Sequence, residues 1–154
     1  MKQPGFGIFR NQIRIACKST FTNQEIDKAW NALILNLNPI RVETVKQLSK
    51  HYSLYLLSNN NAIHYRQLIS KIEETISFDR FSQLFVKNYY SHLLGMRKPD
   101  QEIFEFVLSE NKLNASETLF VDDSVQHLET AKLLGIKTLL VDTSNTLEHH
   151  FKFS

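Results

Sequence analysis

Two adjacent aspartates, Asp122 and Asp123, directly follow the apolar run Thr118-Leu119-Phe120-Val121. A short apolar run bounded by polar residues reads as a buried strand, so the pair stands at the strand's mouth. Two like charges side by side repel unless a cation or hydrogen-bond donors compensate them. Hard carboxylate oxygens of this kind suit Mg2+, which takes one or two carboxylates and completes its shell with water and phosphate oxygens. The pair also has a plainer use, since one aspartate can cap the helix that follows at Ser124.

Two further clusters hold polar groups in comparable places. Ser58 closes the apolar run from Ser53 to Leu57, and Asn59-Asn60-Asn61 lead into a helical pattern from about Ala62. A hydroxyl there, with the amides that open a helix, can donate to a phosphate or carboxylate oxygen. It can equally serve as a turn or cap serine. Lys98 lies in Gly95-Met96-Arg97-Lys98-Pro99-Asp100, a loop feeding a helix. A lysine there could neutralise a phosphate and an attacking carboxylate, or simply be solvated. His64 reads as a helix-surface histidine near the Ser58 loop, and the tail from His149 to Ser154 as a solvated or loosely docked end.

The elements that must position these groups follow from periodicity. Phe9, Ile13 and Ala16 predict a short amphipathic helix over about Gly7 to Lys18. Thr22 and Glu25 have capping-box spacing, and Ile26, Ala29, Trp30, Leu33, Ile34 and Leu37 share one helical face, closed by Pro39. A further helix carries Val42, Val45 and Leu48. The period then changes. Strands are expected at Ser53 to Leu57, Phe85 to Tyr90, Thr118 to Val121 and Ile136 to Val141. Helices are expected from Ala62 to Ile76, from Pro99, which suits a first turn (the helix carrying Ile103, Phe104, Val107 and Leu108), and around Leu128 to Leu134 with Gly135 as its C′ residue. Such alternation implies α/β architecture with a parallel sheet. In open sheets of that class, ligands bind beyond the carboxyl ends of the strands, where Ser58-Asn59, Arg97-Lys98 and Asp122-Asp123 all fall.

In this order the three clusters resemble the haloacid dehalogenase-like (HAD) hydrolases. Leu54-Tyr55-Leu56-Leu57-Ser58-Asn59 is similar to the family's second motif. Gly95 to Asp100 with Ile103-Phe104 is similar to its third. Leu119 to Ser124, followed by Ala131 and Gly135-Ile136, is similar to its fourth. The resemblance implies a three-layer Rossmann-like core over residues 39–154, preceded at 1–38 by part of a helical cap. It also implies that Ser58 and the Asn59 amide bind the phosphoryl group and that Lys98 holds nucleophile and phosphate together. Asp123 would ligate Mg2+, and Asp122 would do so directly or through water. The implied activity is Mg2+-dependent hydrolysis of a small phosphorylated metabolite through an aspartyl-phosphate. The alternatives are a non-catalytic protein that binds a ligand or protein partner, and a haloacid dehalogenase.

The family's first motif, an apolar strand ending in Asp-x-Asp with a Thr shortly after, has no match in the chain. The nearest approach is Thr138 to Leu147, where Asp142 ends an apolar run and Thr146 lies four residues on, but Ser144 occupies the place of the second Asp. The plain reading of that segment is the last core strand and its exit loop. The expectation is a chain truncated before its first core strand, inactive alone, and prone to form a homo-oligomer because parallel neighbours have lost their ladder partner.

Composition narrows the remaining classes. The chain has 154 residues, 42% hydrophobic and 22% charged, with eleven phenylalanines and five tyrosines. That is enough apolar surface for a packed core and argues against disorder. The net charge of +2 comes from basic residues spread along the chain, unlike the concentrated patch of a nucleic-acid binder. No apolar run reaches the roughly 18–20 residues needed to span a membrane, and the first ten residues lack a signal-peptide core. The one cysteine, Cys17, excludes an intrachain disulfide and a Cys-based metal cluster. It reads as a small buried residue in a cytoplasmic protein.

Overall fold

Nine helices, a 3-10 turn and four short strands succeed one another in the computed structural model, which describes residues 6–151 and 153. In chain order these are α1 (Phe6–Cys17), α2 (Asn23–Asn31), α3 (Pro39–Ser49), β1 (Tyr55–Ser58), α4 (Ala62–Glu73), α5 (Phe78–Ser82), β2 (Lys87–Tyr90), α6 (Ser91–Leu94), α7 (Gln101–Glu110), the 3-10 turn (Ala115–Glu117), β3 (Leu119–Asp122), α8 (Val125–Leu133), β4 (Lys137–Leu140) and α9 (Leu147–His150). The strands form two parallel ladders. β1 pairs with β2 from Tyr55↔Lys87 to Ser58↔Tyr90, and β3 pairs with β4 from Leu119↔Lys137 to Asp122↔Leu140. The chain is thus α/β with parallel strands, as the alternation predicts.

The chain divides into two compact units, Met1–Pro39 with Ser53–Gly95, and Ile40–Tyr52 with Met96–Ser154. In the first unit the Thr22 side chain accepts from the Glu25 amide, while Glu25 reaches back to the Thr22 amide. This reciprocal cap satisfies donors that an isolated helix start leaves open. Arg10 grips Asp27 through two hydrogen bonds, at 2.9 and 2.6 Å, tying α1 to α2. Ile26, Ile72, Phe81, Tyr89 and Tyr90 are buried there, and Tyr65 of α4 meets Tyr90 edge-on at 4.8 Å.

In the second unit Val42, Leu48, Ile103, Phe104, Leu128, Ala131 and Ile136 are buried. Phe104 of α7 sits edge-to-face on Phe120 of β3, with centroids 5.2 Å apart. Each fully buried side chain of this size contributes about 1.5–3 kcal/mol, so this packing fixes the strand that carries the aspartates. Gly135, at φ 79°, closes α8 in the left-handed conformation expected of a C′ residue.

Four expectations need correction. α2 stops at Asn31, and the Ala32, Leu33 and Ile34 amides bond back to Lys28, Trp30 and Asn31 as a terminating turn. Leu33 and Leu35 are then exposed, so the helical spacing of the residues after Asn31 was coincidental. Pro39 opens α3 instead of closing α2, using the first helical position, where a missing amide costs nothing. Pro99 lies ahead of α7, in a cis bond with Lys98, and Asp100 is the N-cap residue. Cys17 is exposed, because it falls on the outward side of α1 near its end.

Candidate active site

β3 ends on Asp122, and three donors converge on that carboxylate. Lys98 Nζ donates to Oδ2 at 2.6 Å, and the Ser124 amide donates to Oδ1 at 2.9 Å. His127 Nδ1 lies 2.8 Å from the same Oδ1. A carboxylate can only accept, so this partner assigns the proton to Nδ1. Lys98 is 6% exposed and Asp122 9%. Charged groups this deep are costly unless paired and hydrogen-bonded, and here both conditions hold. Lys98 is delivered by the loop ahead of α7, whose Ile103 and Phe104 are packed in the core, and its Nζ lies 5.3 Å over the Phe120 ring.

These contacts set the protonation of Asp122. Burial alone pushes its carboxyl up, but the Lys98 hydrogen bond and charge, the Ser124 amide and His127 together hold it below the ordinary carboxylate value. The side chain is therefore an anion that accepts from every donor around it. Asp122 accepts from the Ser124 amide just ahead of α8 with one oxygen and from the buried lysine with the other, while α8 itself carries no side-chain cap. Asp123, next in sequence, is exposed.

Ser58 and Asn59 belong to the first compact unit. Ser58 is the last residue of β1, half-buried, in register with Tyr90. The loop beyond it is pinned, because Ser91 Oγ accepts from the Asn60 amide and donates to the Asn60 carbonyl, both at 2.9 Å. Asn61 caps α4, its Oδ1 accepting from the Ile63 and His64 amides. Those two helix-opening amides are therefore committed to the cap. His64 is half-buried rather than fully solvated. It stacks on Trp30 at 5.2 Å, and its Nε2 lies 3.0 Å from the Trp30 carbonyl.

Residues 18–141 match the sequence profile of the haloacid dehalogenase-like hydrolases. The chain belongs to this family. Among its HAD relatives, a D-ribitol-5-phosphate phosphatase of Bacteroides thetaiotaomicron is 32% identical over 130 residues, which cover 84% of this chain. The chain spans 63% of that phosphatase's length. A sesquiterpene phosphatase of Aspergillus oryzae is 36% identical over 84 residues, 54% of this chain and 39% of that one. A HAD family enzyme of Bacteroides thetaiotaomicron, crystallised with magnesium and inorganic phosphate, superposes with a TM-score of 0.85 at 29% identity. That match covers 97% of this chain and 74% of the other.

Of the residues singled out from the HAD motifs, the fold brings Lys98 and Asp122 into contact, and Asp123 follows Asp122 in sequence. Ser58 ends its own strand, as the second motif requires. Sequence reasoning missed His127. The available signal was its place five residues after Asp122, in the first turn of the helix that follows it.

Proposed function

We propose that this chain carries the phosphate- and metal-binding part of a Mg2+-dependent phosphate monoesterase whose nucleophile it does not supply. The observation that carries this reading is the buried contact of Lys98 with Asp122 at the carboxyl end of β3, 2.6 Å long. Likeness to a D-ribitol-5-phosphate phosphatase supports a small phosphorylated metabolite as the substrate class.

The donor set fits the metal. Asp122 and Asp123 offer hard oxygens at one strand end, and Mg2+ needs only one or two carboxylates. Among the described residues no group of three or more His, Cys, Asp and Glu side chains could hold a metal ion. Mg2+ at this pair would keep water and substrate oxygens in its shell, as such sites commonly do. When bound, it neutralises charge on the phosphoryl oxygens. Lys98 holds a further phosphoryl oxygen and, through Asp122, keeps the acidic pair in place. In the other compact unit, Ser58 Oγ and the Asn59 amide at the end of β1 carry the phosphate-binding role that the second motif implies.

Asp142 is no substitute nucleophile. Its Oδ1 accepts from the Ser144 amide, the Ser144 hydroxyl and the Asn145 amide, all at 2.6–2.7 Å, in an exposed exit loop. The chain alone is expected to bind Mg2+ and inorganic phosphate without turning over p-nitrophenyl phosphate. Calorimetry tests the first part, with binding of Mg2+ lost in Asp123→Asn. Absence of Mg2+ binding by the unaltered chain refutes the site. Normal turnover abolished by Asp123→Asn refutes the claim that a nucleophile is lacking. A cytoplasmic setting suits this reading, given the exposed free thiol of Cys17.

A further inference from the structure

We infer that His127 is a positioning residue that makes Asp122 a one-oxygen ligand and so tunes the site toward Mg2+ over Ca2+. This rests on the metal site proposed above. An ionised carboxylate has about four acceptor lobes. On Asp122 two lobes of Oδ1 are taken, by the Ser124 amide at 2.9 Å and His127 Nδ1 at 2.8 Å. One lobe of Oδ2 is taken by Lys98 Nζ at 2.6 Å. A cation can therefore reach this carboxylate through Oδ2 alone. Two-oxygen coordination needs a free lobe on each oxygen, and His127 denies it.

The choice of metal follows from that restriction. Ca2+ takes six to eight oxygens and uses carboxylates with one or both of their oxygens, whereas Mg2+ demands compact octahedral geometry. A carboxylate confined to one oxygen favours the smaller ion. His127 is well placed to enforce this, because its backbone is set in the first turn of α8, its amide donating to the Ser124 carbonyl at 3.1 Å. Its side chain is largely buried, at 18% exposure. Partners that orient metal ligands in this way typically contribute 10- to 100-fold in affinity.

Calorimetric titration of the full chain with Mg2+ and with Ca2+ tests the inference. The His127→Phe substitution keeps an aromatic ring and removes the donor. It should weaken Mg2+ binding about tenfold and narrow the preference over Ca2+. His127→Asn places an amide N–H one bond from Cγ, as Nδ1 is, and should restore most of both. A purely structural role would lower thermal stability without changing the Mg2+/Ca2+ ratio, and that result overturns the inference. So does His127→Phe binding Mg2+ as tightly as the unaltered chain while Asp122→Asn does not, an outcome that leaves the metal site standing. Unchanged Mg2+ binding in both Asp122→Asn and Asp123→Asn instead removes the metal site and the inference together. A long-range proton–nitrogen NMR spectrum of the unaltered chain supplies a readout free of variants. The inference requires the Nδ1-protonated tautomer of His127, and the Nε2-protonated form refutes it.

Discussion

Replacing Lys98 with methionine should destabilise the protein by more than any exposed-lysine substitution could. Methionine fills much of the lysine stem's volume but leaves the Asp122 carboxylate without its cation. The two side chains are only 8% and 7% exposed, and their charged atoms are 2.6 Å apart. Removing one partner of such a buried pair costs about 3–5 kcal/mol, because the remaining charge stays desolvated. Asp122 keeps the Ser124 amide and His127 as donors, which places the expected loss at the lower end, about 3 kcal/mol. For a chain of this length that corresponds to a fall in Tm of about 6–12 °C. Urea unfolding followed by far-UV circular dichroism measures it directly. The double substitution Lys98→Met with Asp122→Asn should recover part of the loss, since it removes the stranded charge and retains an acceptor for Ser124. The pH dependence has a definite sign. Asp122 titrates below its ordinary value when folded, so its contribution is complete above the unfolded carboxylate pKa of about 3.9 and fades as pH falls through the lower folded value. The gap between unaltered and Lys98→Met proteins should therefore close under acid. A loss below about 1 kcal/mol at pH 7, the size typical of exposed pairs, would refute the buried-charge reasoning.

Gly135→Ala should cost about 1 kcal/mol. The added Cβ would lie 3.9 Å from the Ala115 Cβ, an ordinary contact, so the penalty comes from φ 79° alone and should appear as a lower urea midpoint. Tyr90 is pushed up to about 12, first by burial and then by neighbouring Tyr65. Its ionisation should come late in an absorbance titration at alkaline pH. Stability should fall as pH rises from the unfolded tyrosine value of about 10 toward that figure, because the unfolded chain ionises first. Among the described residues β3 and β4 pair only with each other, and parallel strands with open edges invite association. Light scattering should therefore find homo-oligomers, and a thermally robust monomer would count against that expectation.

Much of the site was legible because its signals are local. An apolar tetrapeptide running into two acids, and a loop lysine before Ile103-Phe104, need only strand and helix periodicity to be placed. The Thr22–Glu25 cap and Gly135 were equally readable, since each meets a backbone requirement within a few residues. What escaped depended on tertiary context. Leu33 continues the spacing of α2, yet it is exposed, and without burial the pattern has no force to extend a helix. Pro39 and Pro99 each stand near a helix start, but only the fold decides whether the proline opens the helix or precedes it. Lys98 reads as solvated by type, and its contact with Asp122, which only the fold creates, compensates its burial. His127 was silent for the same reason: its role exists only once the first turn of α8 brings its ring onto the carboxylate.

The stack of Trp30 on His64, with Phe9 edge-on at 4.8 Å, has an optical consequence. Trp30 is the chain's one tryptophan, and it lies in the first compact unit. Its emission therefore follows the packing of α1, α2 and α4 and carries little of the aspartate-bearing second unit. Far-UV ellipticity, by contrast, sums the helices of both units. Fluorescence and ellipticity melts that superimpose would mean that the two units unfold as one. A separation between them would give the temperature range over which the aspartate-bearing unit and the tryptophan-bearing unit part company.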